Sequence, residues 1–156
     1  MAIRRADFPL PDLDEPLTAP FFAAAARREL RIPRCDRCAA FVWYPQPACP
    51  RCGDVPGWVT VSGRGALFSW AVVRRAFLPA FEAMVPFVSG LVAIDEDPSV
   101  RVVSYVVDAE PGSLYAGMPV VADFRPLAFP TVPGREVVVP VFRPLDAPTG
   151  AGGGPR

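Results

Sequence analysis

The sequence predicts a mainly β protein: a short N-terminal helix and a four-cysteine zinc ribbon, then a five-stranded barrel of the OB type. Three observations predict it. The only cysteines are Cys35, Cys38, Cys49 and Cys52, spaced C-x2-C-x10-C-x2-C. Beyond Trp58 the apolar residues fall into short runs separated by Gly, Pro and Asp turn signals. No long amphipathic helices separate those runs, which disfavours a parallel sheet and leaves a small Greek-key barrel.

Each element has its own warrant. Residues 1–17 are rich in Pro and Asp and predict an extended arm. Thr18-Ala19-Pro20 reads as a helix start, because proline fits the first turn, where no N–H is needed. Phe21 to Glu29 is alanine-rich and predicts the short helix, with Phe21, Phe22, Ala25 and Leu30 on one apolar stripe. Residues 30–57 predict the ribbon, with Phe41–Pro45 extended between the two cysteine pairs. With the helix, this unit covers 18–57. It is too small to fold on apolar burial alone, so the metal supplies folding free energy. The barrel covers 58–144. Trp58–Ser62 alternates, Gly63-Arg64-Gly65 predicts a bulge or bend, and Ala66–Arg74, Phe87–Ile94, Ser99–Val107, Pro119–Phe124 and Glu136–Phe142 predict strands. The apolar segment Arg75–Pro86 is longer than a tight turn and reads as a functional loop. Residues 145–156 are rich in Pro and Gly and predict a disordered tail.

Two C-x2-C pairs at this separation place four thiolates around one tetrahedral ion, and zinc suits such a soft donor set. Gly53 after the second pair allows the positive φ of a tight knuckle; Ala39 stands at the matching place after the first. Iron would use the same ligands, and two disulfides or a thioredoxin-like redox pair are the other rivals. A closed set of four protein sulfurs leaves no position for water or substrate, so the metal reads as one structural zinc rather than a catalytic one.

The chain has no histidine, and all sixteen basic residues are arginine. The usual general base, histidine-dependent nucleophiles and lysine chemistry are therefore missing. Formal net charge is zero, which argues against a nonspecific nucleic-acid binder. The arginines concentrate at 27–51, where they offset the negative charge of a metal–tetrathiolate. An acidic stretch from Asp7 to Glu15 is a further partner for them. No membrane span or signal peptide is read, and metal-holding thiolates fit a reducing cytoplasm.

The order of helix, ribbon and barrel carries more specific residues: Phe21-Phe22, Arg28-Glu29-Leu30, Cys35-Asp36-Arg37-Cys38, Cys49-Pro50-Arg51-Cys52-Gly53, Ser62-Gly63-Arg64-Gly65-Ala66-Leu67-Phe68-Ser69-Trp70, Gly117-Met118-Pro119-Val120 and Val141-Phe142-Arg143-Pro144. Over residues 18–144 the chain closely resembles the bacterial and archaeal OB-fold family with a rubredoxin-like zinc ribbon, first catalogued as a domain of unknown function. The resemblance implies a noncatalytic partner subunit of thiolase-like acyl-CoA enzymes, including lipid-transfer-type aldolases of steroid side-chain breakdown. It also implies a two-plus-two heterotetramer, and in some members pairing with a MaoC-like hydratase. Ala39 departs from the family's usual glycine, and no fused hydratase domain is present in the sequence.

On that reading Phe21, Phe22, Trp43 and Tyr44, with Arg27 and Arg28 beside them, are candidate partner-binding residues. Arg64, Trp70, Arg74, Arg75 and Phe77 are candidates for acyl-CoA contact, because arginine forks bind phosphate and stack on adenine. No residue is assigned a catalytic role. A single-stranded nucleic-acid module and a rubredoxin-like electron carrier are the competing functions.

Overall fold

The computed structural model describes residues 6–147, and the expected tail lies outside them from residue 148 onward. Residues 6–17 hold turns, with no helix or strand. Helix α1 spans Ala19–Ala26, with Thr18 at its N-cap and Pro20 in its first turn. It ends sooner than the expected Glu29. Arg28 takes φ 62°; its N–H returns to the Ala25 C=O at 2.9 Å and the Glu29 N–H to the Ala24 C=O at 3.0 Å. This is a Schellman ending with arginine where glycine is usual.

The ribbon strands β1 (Arg31–Arg34) and β2 (Gly57–Thr60) pair antiparallel, from Arg31↔Thr60 to Arg34↔Gly57. Of the expected extended segment 41–45, only Phe41 makes a bridge, to Arg34. Five strands follow: β3 (Arg64–Val73), β4 (Phe87–Ile94), β5 (Arg101–Val106), β6 (Pro119–Ala128) and β7 (Glu136–Pro144). They close a barrel in the order β3-β4-β5-β7-β6, with β6 returning to β3. Among the described residues only β5 and β7 run parallel, and the result is the OB topology. β6 runs four residues past the expected Phe124. Its far half has β7 but no β3 neighbour, so Pro126 costs no rung there. Of the expected bend or bulge at Gly63-Arg64-Gly65, only Gly63 bends, at φ 77°, while Arg64 and Gly65 already pair within β3 and the bulge lies between Leu67 and Ser69. Gly65 is needed for close packing, since a Cβ there would stand 2.3 Å from the Ala93 carbonyl oxygen.

Two apolar cores result. Leu67, Val92, Ile94, Val102, Val120 and Phe142 fill the barrel, and Leu30 and Ile32 from the ribbon join the same cluster. The second core lies outside the barrel wall. Alternation along β7 sends Val137, Val139 and Val141 into it, while Phe142 points inward. Ala80 and Met84 of the 75–86 loop cover this core, together with Leu10 from the N-terminal segment. The loop holds one 3-10 turn, Pro79–Phe81. Among the described residues, no helix is long and apolar enough to cross a membrane.

An ion cluster ties α1 to the barrel. Arg28 donates to Asp123 at 3.0 Å and to the Phe124 C=O at 3.2 Å. Arg125 donates to Asp123 at 3.1 Å and also pairs with Asp108. Burial raises the Asp123 carboxyl, but the Phe124 N–H, Arg125 and Arg28 outweigh it and hold it below the usual range.

Two predictions follow from this packing. Leu10→Ala lowers stability by about 2–4 kcal/mol, read from the urea midpoint; an unchanged midpoint would show that the N-terminal segment is not part of the core. Because the folded pKa of Asp123 is depressed, its contribution is complete above the unfolded value near pH 4 and is lost as pH falls through the folded one. Asp123→Asn therefore lowers stability at pH 7 by about 1–3 kcal/mol and flattens the acid limb of the stability–pH curve.

Candidate metal centre and interaction surfaces

Two identical backbone turns build the metal site. The Ala39 N–H bonds to the Cys35 C=O at 2.8 Å and the Cys35 N–H to the Ala40 C=O at 2.9 Å. Fourteen residues further on the pattern repeats: the Gly53 N–H bonds to the Cys49 C=O at 2.8 Å and the Cys49 N–H to the Asp54 C=O at 2.7 Å. Gly53 takes φ 79° and Ala39 φ 59°. Both knuckles thus need a left-handed residue, and only one has glycine.

The four sulfurs converge. All lie within 4.8 Å of one another, with Cys35 and Cys52 at 3.4 Å and Cys38 and Cys49 at 3.6 Å. Zn–S bonds of about 2.3 Å would place tetrahedral sulfurs about 3.8 Å apart, so the donor set fits zinc. None is in a disulfide. Cys35 and Cys49 are buried, and Cys38 and Cys52 half-buried. The Arg51 backbone N–H leads the interactions that bring the Cys49 thiol down to about 7. The Asp54 backbone N–H favours the Cys52 thiolate too, but contact with Cys35, burial and the other sulfurs push that thiol up to about 12. A dication held among these four sulfurs would take the place of their protons and let all four act as thiolates.

Four of the six candidate partner residues form one aromatic row. Phe22 meets Phe21 edge-on at 5.3 Å, Phe21 meets Trp43 at 5.6 Å, and Trp43 meets Tyr44 at 5.0 Å. The row runs from α1 onto the ribbon and ends at Tyr44, which is 56% exposed. The Trp43 Nε1–H donates to the Arg101 C=O at 2.9 Å, fixing the ribbon to the barrel. Arg27 is exposed beside Glu29 at 3.8 Å. Arg28 is turned away from the row, onto Asp123.

The candidates for acyl-CoA contact are not brought together as a set. Arg64 begins β3, whereas Arg74, Arg75 and Phe77 follow its other end, about 30 Å away at strand rise. Trp70 is half-buried against the barrel core. Arg74, Arg75 and Phe77 do share an exposed tip, where Phe77 is 90% exposed. A bulge between Leu67 and Ser69 turns Phe68 outward, where the Arg101 guanidinium stacks 3.7 Å from its ring centroid. The sequence gives no signal for that pair. Also missed was an apolar groove of about 420 Å³ between β5, β7 and α1, walled by Phe21, Phe22, Phe81, Phe87 and Tyr105.

Fold and site together define a zinc ribbon joined to an OB barrel. Residues 22–55 match the family model described as "ChsH2, rubredoxin-like zinc ribbon domain", and residues 58–125 match "ChsH2, C-terminal OB-fold domain". A chain of the solved Ltp2-ChsH2(DUF35) aldolase superposes with a TM-score of 0.72 at 35% identity, over 86% of this chain and 98% of that one. The chain belongs to this ChsH2/DUF35 family. A "DUF35 domain-containing scaffold protein" of Methanocaldococcus jannaschii is 30% identical over 94 residues, 59% of this chain and 64% of the relative. The "Probable enoyl-CoA hydratase alpha subunit" of Thermomonospora curvata is 39% identical over 126 residues, 80% of this chain but 36% of the relative. The chain thus spans about a third and about two thirds of these two curated relatives. A DUF35-family structure from Sulfolobus solfataricus, at 12% identity and a TM-score of 0.50, shares the fold, over 83% of this chain and 86% of that one.

The metal site generates the next prediction. Purified protein is expected to carry one zinc per chain by elemental analysis. Cys49→Ser loses it and frees the 30–57 amides to exchange while the barrel amides stay protected. Ala39→Gly relieves the left-handed strain and raises stability by about 0.5–1 kcal/mol, seen as a higher denaturation midpoint at equal zinc content.

Proposed function

We propose that this chain is a noncatalytic accessory subunit that binds and supports a thiolase-like acyl-CoA enzyme of the aldolase or thiolase type. The observation that carries the reading is its 35% identity to, and 98% coverage of, a chain of the Ltp2-ChsH2(DUF35) aldolase. The chain's own chemistry agrees. It has no histidine and no lysine, and its four cysteines converge on one metal position. The named scaffold relative supports a role in holding other proteins, and the hydratase-subunit relative supports a setting among CoA esters.

The finer parts of the proposal rest on individual residues. The ribbon unit, 18–57, presents the Phe21–Tyr44 row as the docking surface, with Arg27 at its edge. The barrel unit, 58–144, carries the Arg74, Arg75 and Phe77 tip, which reaches the acyl-CoA of the partner's active site. A two-plus-two heterotetramer, a cytoplasmic location and retro-aldol cleavage in steroid side-chain breakdown complete the reading.

Coexpression with a thiolase-like subunit is expected to give a stable complex with higher activity than that subunit alone. Tyr44→Ala is expected to weaken the complex at least tenfold, as loss of an aromatic anchor does, with zinc content unchanged. Arg75→Ala is expected to raise KM for the acyl-CoA without loosening the complex. A chain that stays monomeric beside every such subunit overturns the proposal.

A further inference from the structure

Strand β5 has two edges, and only one is fully used. The Ile94 N–H bond to the Val100 C=O, at 3.2 Å, sets the phase of the β4–β5 ladder. In that phase residues 102, 104 and 106 bond to β4, and Arg101, Val103 and Tyr105 turn their backbone groups the other way. Two contacts follow the same phase: Trp43 caps the Arg101 C=O, and the Val107 N–H bonds to the Phe142 C=O at 2.8 Å.

On that side β5 meets β7 at a single register, Val106↔Phe142. The reason stands two residues earlier in β7. The next rung would run from residue 140 to the Val103 C=O, and residue 140 is a proline with no N–H to give. The Pro140 C=O is itself taken by the Ser104 hydroxyl at 2.5 Å. The ladder therefore stops, and the Val103 N–H and C=O and the Tyr105 N–H face the gap without a ladder partner. Val103 is 54% exposed. The apolar groove occupies this gap, lined by Phe21, Phe22, Phe81 and Phe87 and, from the N-terminal segment, by Pro9 and Pro11; among the described residues no charged side chain lines it.

Apolar walls alone would accept many molecules. Walls beside a row of unladdered backbone donors and acceptors are more selective, because that combination fits another strand. A purely apolar ligand would cover the backbone groups without bonding them, and a charged segment would lose its hydration with no counter-charge to meet it. We propose that the Val103–Tyr105 edge of β5 is a strand-addition site, filled by a short, uncharged, extended segment of the protein partner. Arg101 to Tyr105 spans about 13 Å, room for about four residues. The inference rests on the accessory-subunit reading above and names the contact through which the partner is held.

Amide exchange, followed by NMR on the free chain and on its purified complex with the coexpressed thiolase-like subunit, tests it. The Val103 and Tyr105 amides are expected to exchange rapidly in the free chain and at least 100-fold more slowly in the complex. Val103→Pro removes a donor only from the open edge and is expected to weaken the complex at least tenfold. Pro140→Val returns the missing N–H, and is expected to extend the β5–β7 ladder and weaken the complex in the same way while the barrel grows more stable. A complex that leaves both amides unprotected overturns this inference and leaves the accessory role standing; the absence of any complex overturns both. Protection that grows with the concentration of the free chain assigns the edge to a second copy, and protection by an apolar dye such as Nile red assigns it to a small ligand. Either result overturns the proposal.

Discussion

Convergence of four sulfurs on one point holds the N-terminal part of the chain in shape. Between Arg34 and Gly57 the backbone makes two knuckles and a single bridge, and its own buried cluster is Cys35, Val42 and Cys49. So little apolar burial does not order a loop of this length. Once metal fixes the knuckles, β1 and β2 come into register. Leu30 and Ile32 then enter the barrel core, and Trp43 reaches the Arg101 carbonyl. The aromatic row on the ribbon has a defined direction only because of this chain of contacts.

The barrel poses the complementary problem. Closure removes sheet edges, and Gly65, Leu67 and Phe142 are placed to achieve it. Pro140 prevents it from being complete. At one seam the hydrogen-bond ladder ends after a single register, and the space between the separated strands is lined by aromatic rings from α1 and the 75–86 loop. The second core, anchored by Leu10, keeps this seam from collapsing, because it fixes both walls independently of the ladder between them. The open edge is thus a consequence of two local features, a missing N–H and a satellite core, and not of a loosely packed barrel.

Much of this was legible in the residues. The C-x2-C-x10-C-x2-C spacing carries the metal site, because ligand geometry translates directly into sequence separation. Period-two apolar runs located β4 and the start of β6 and β7. The helix end was missed because Arg28, not glycine, holds the left-handed position; its compensation comes from Asp123 and the Phe124 carbonyl, 95 and 96 residues away. Long-range compensation of that kind leaves no local pattern. The separation of Arg64 from Arg74 and Arg75 was available from strand length once β3 was seen as one continuous strand. Pro140 inside an apolar run was the one visible sign of the seam, but its meaning depends on which strand lies beside it.

The placement of the arginines bears on whether a protein or a polyanion is the better-fitting partner. A phosphate-binding surface needs guanidinium groups free to face solvent in an array. Here four of the six forks of the 27–51 cluster turn back on the chain: Arg27 to the Ala23 C=O, Arg28 to Phe124, Arg31 to the Trp58 C=O and Arg34 to the Ala39 C=O, at 2.7–3.2 Å. Arg125 is closed into its carboxylate pair, and Arg101 lies over Phe68. Arg27, Arg31 and Arg34 each donate to one backbone carbonyl, and Arg28 bridges the Phe124 carbonyl and the Asp123 carboxylate, a task that suits a planar fork. Arg37, Arg51, Arg64, Arg74 and Arg75 are exposed as well, but they are spread over the ribbon and the two ends of β3 and form no single array. With net charge zero, that scatter fits a protein partner better than a polyanion.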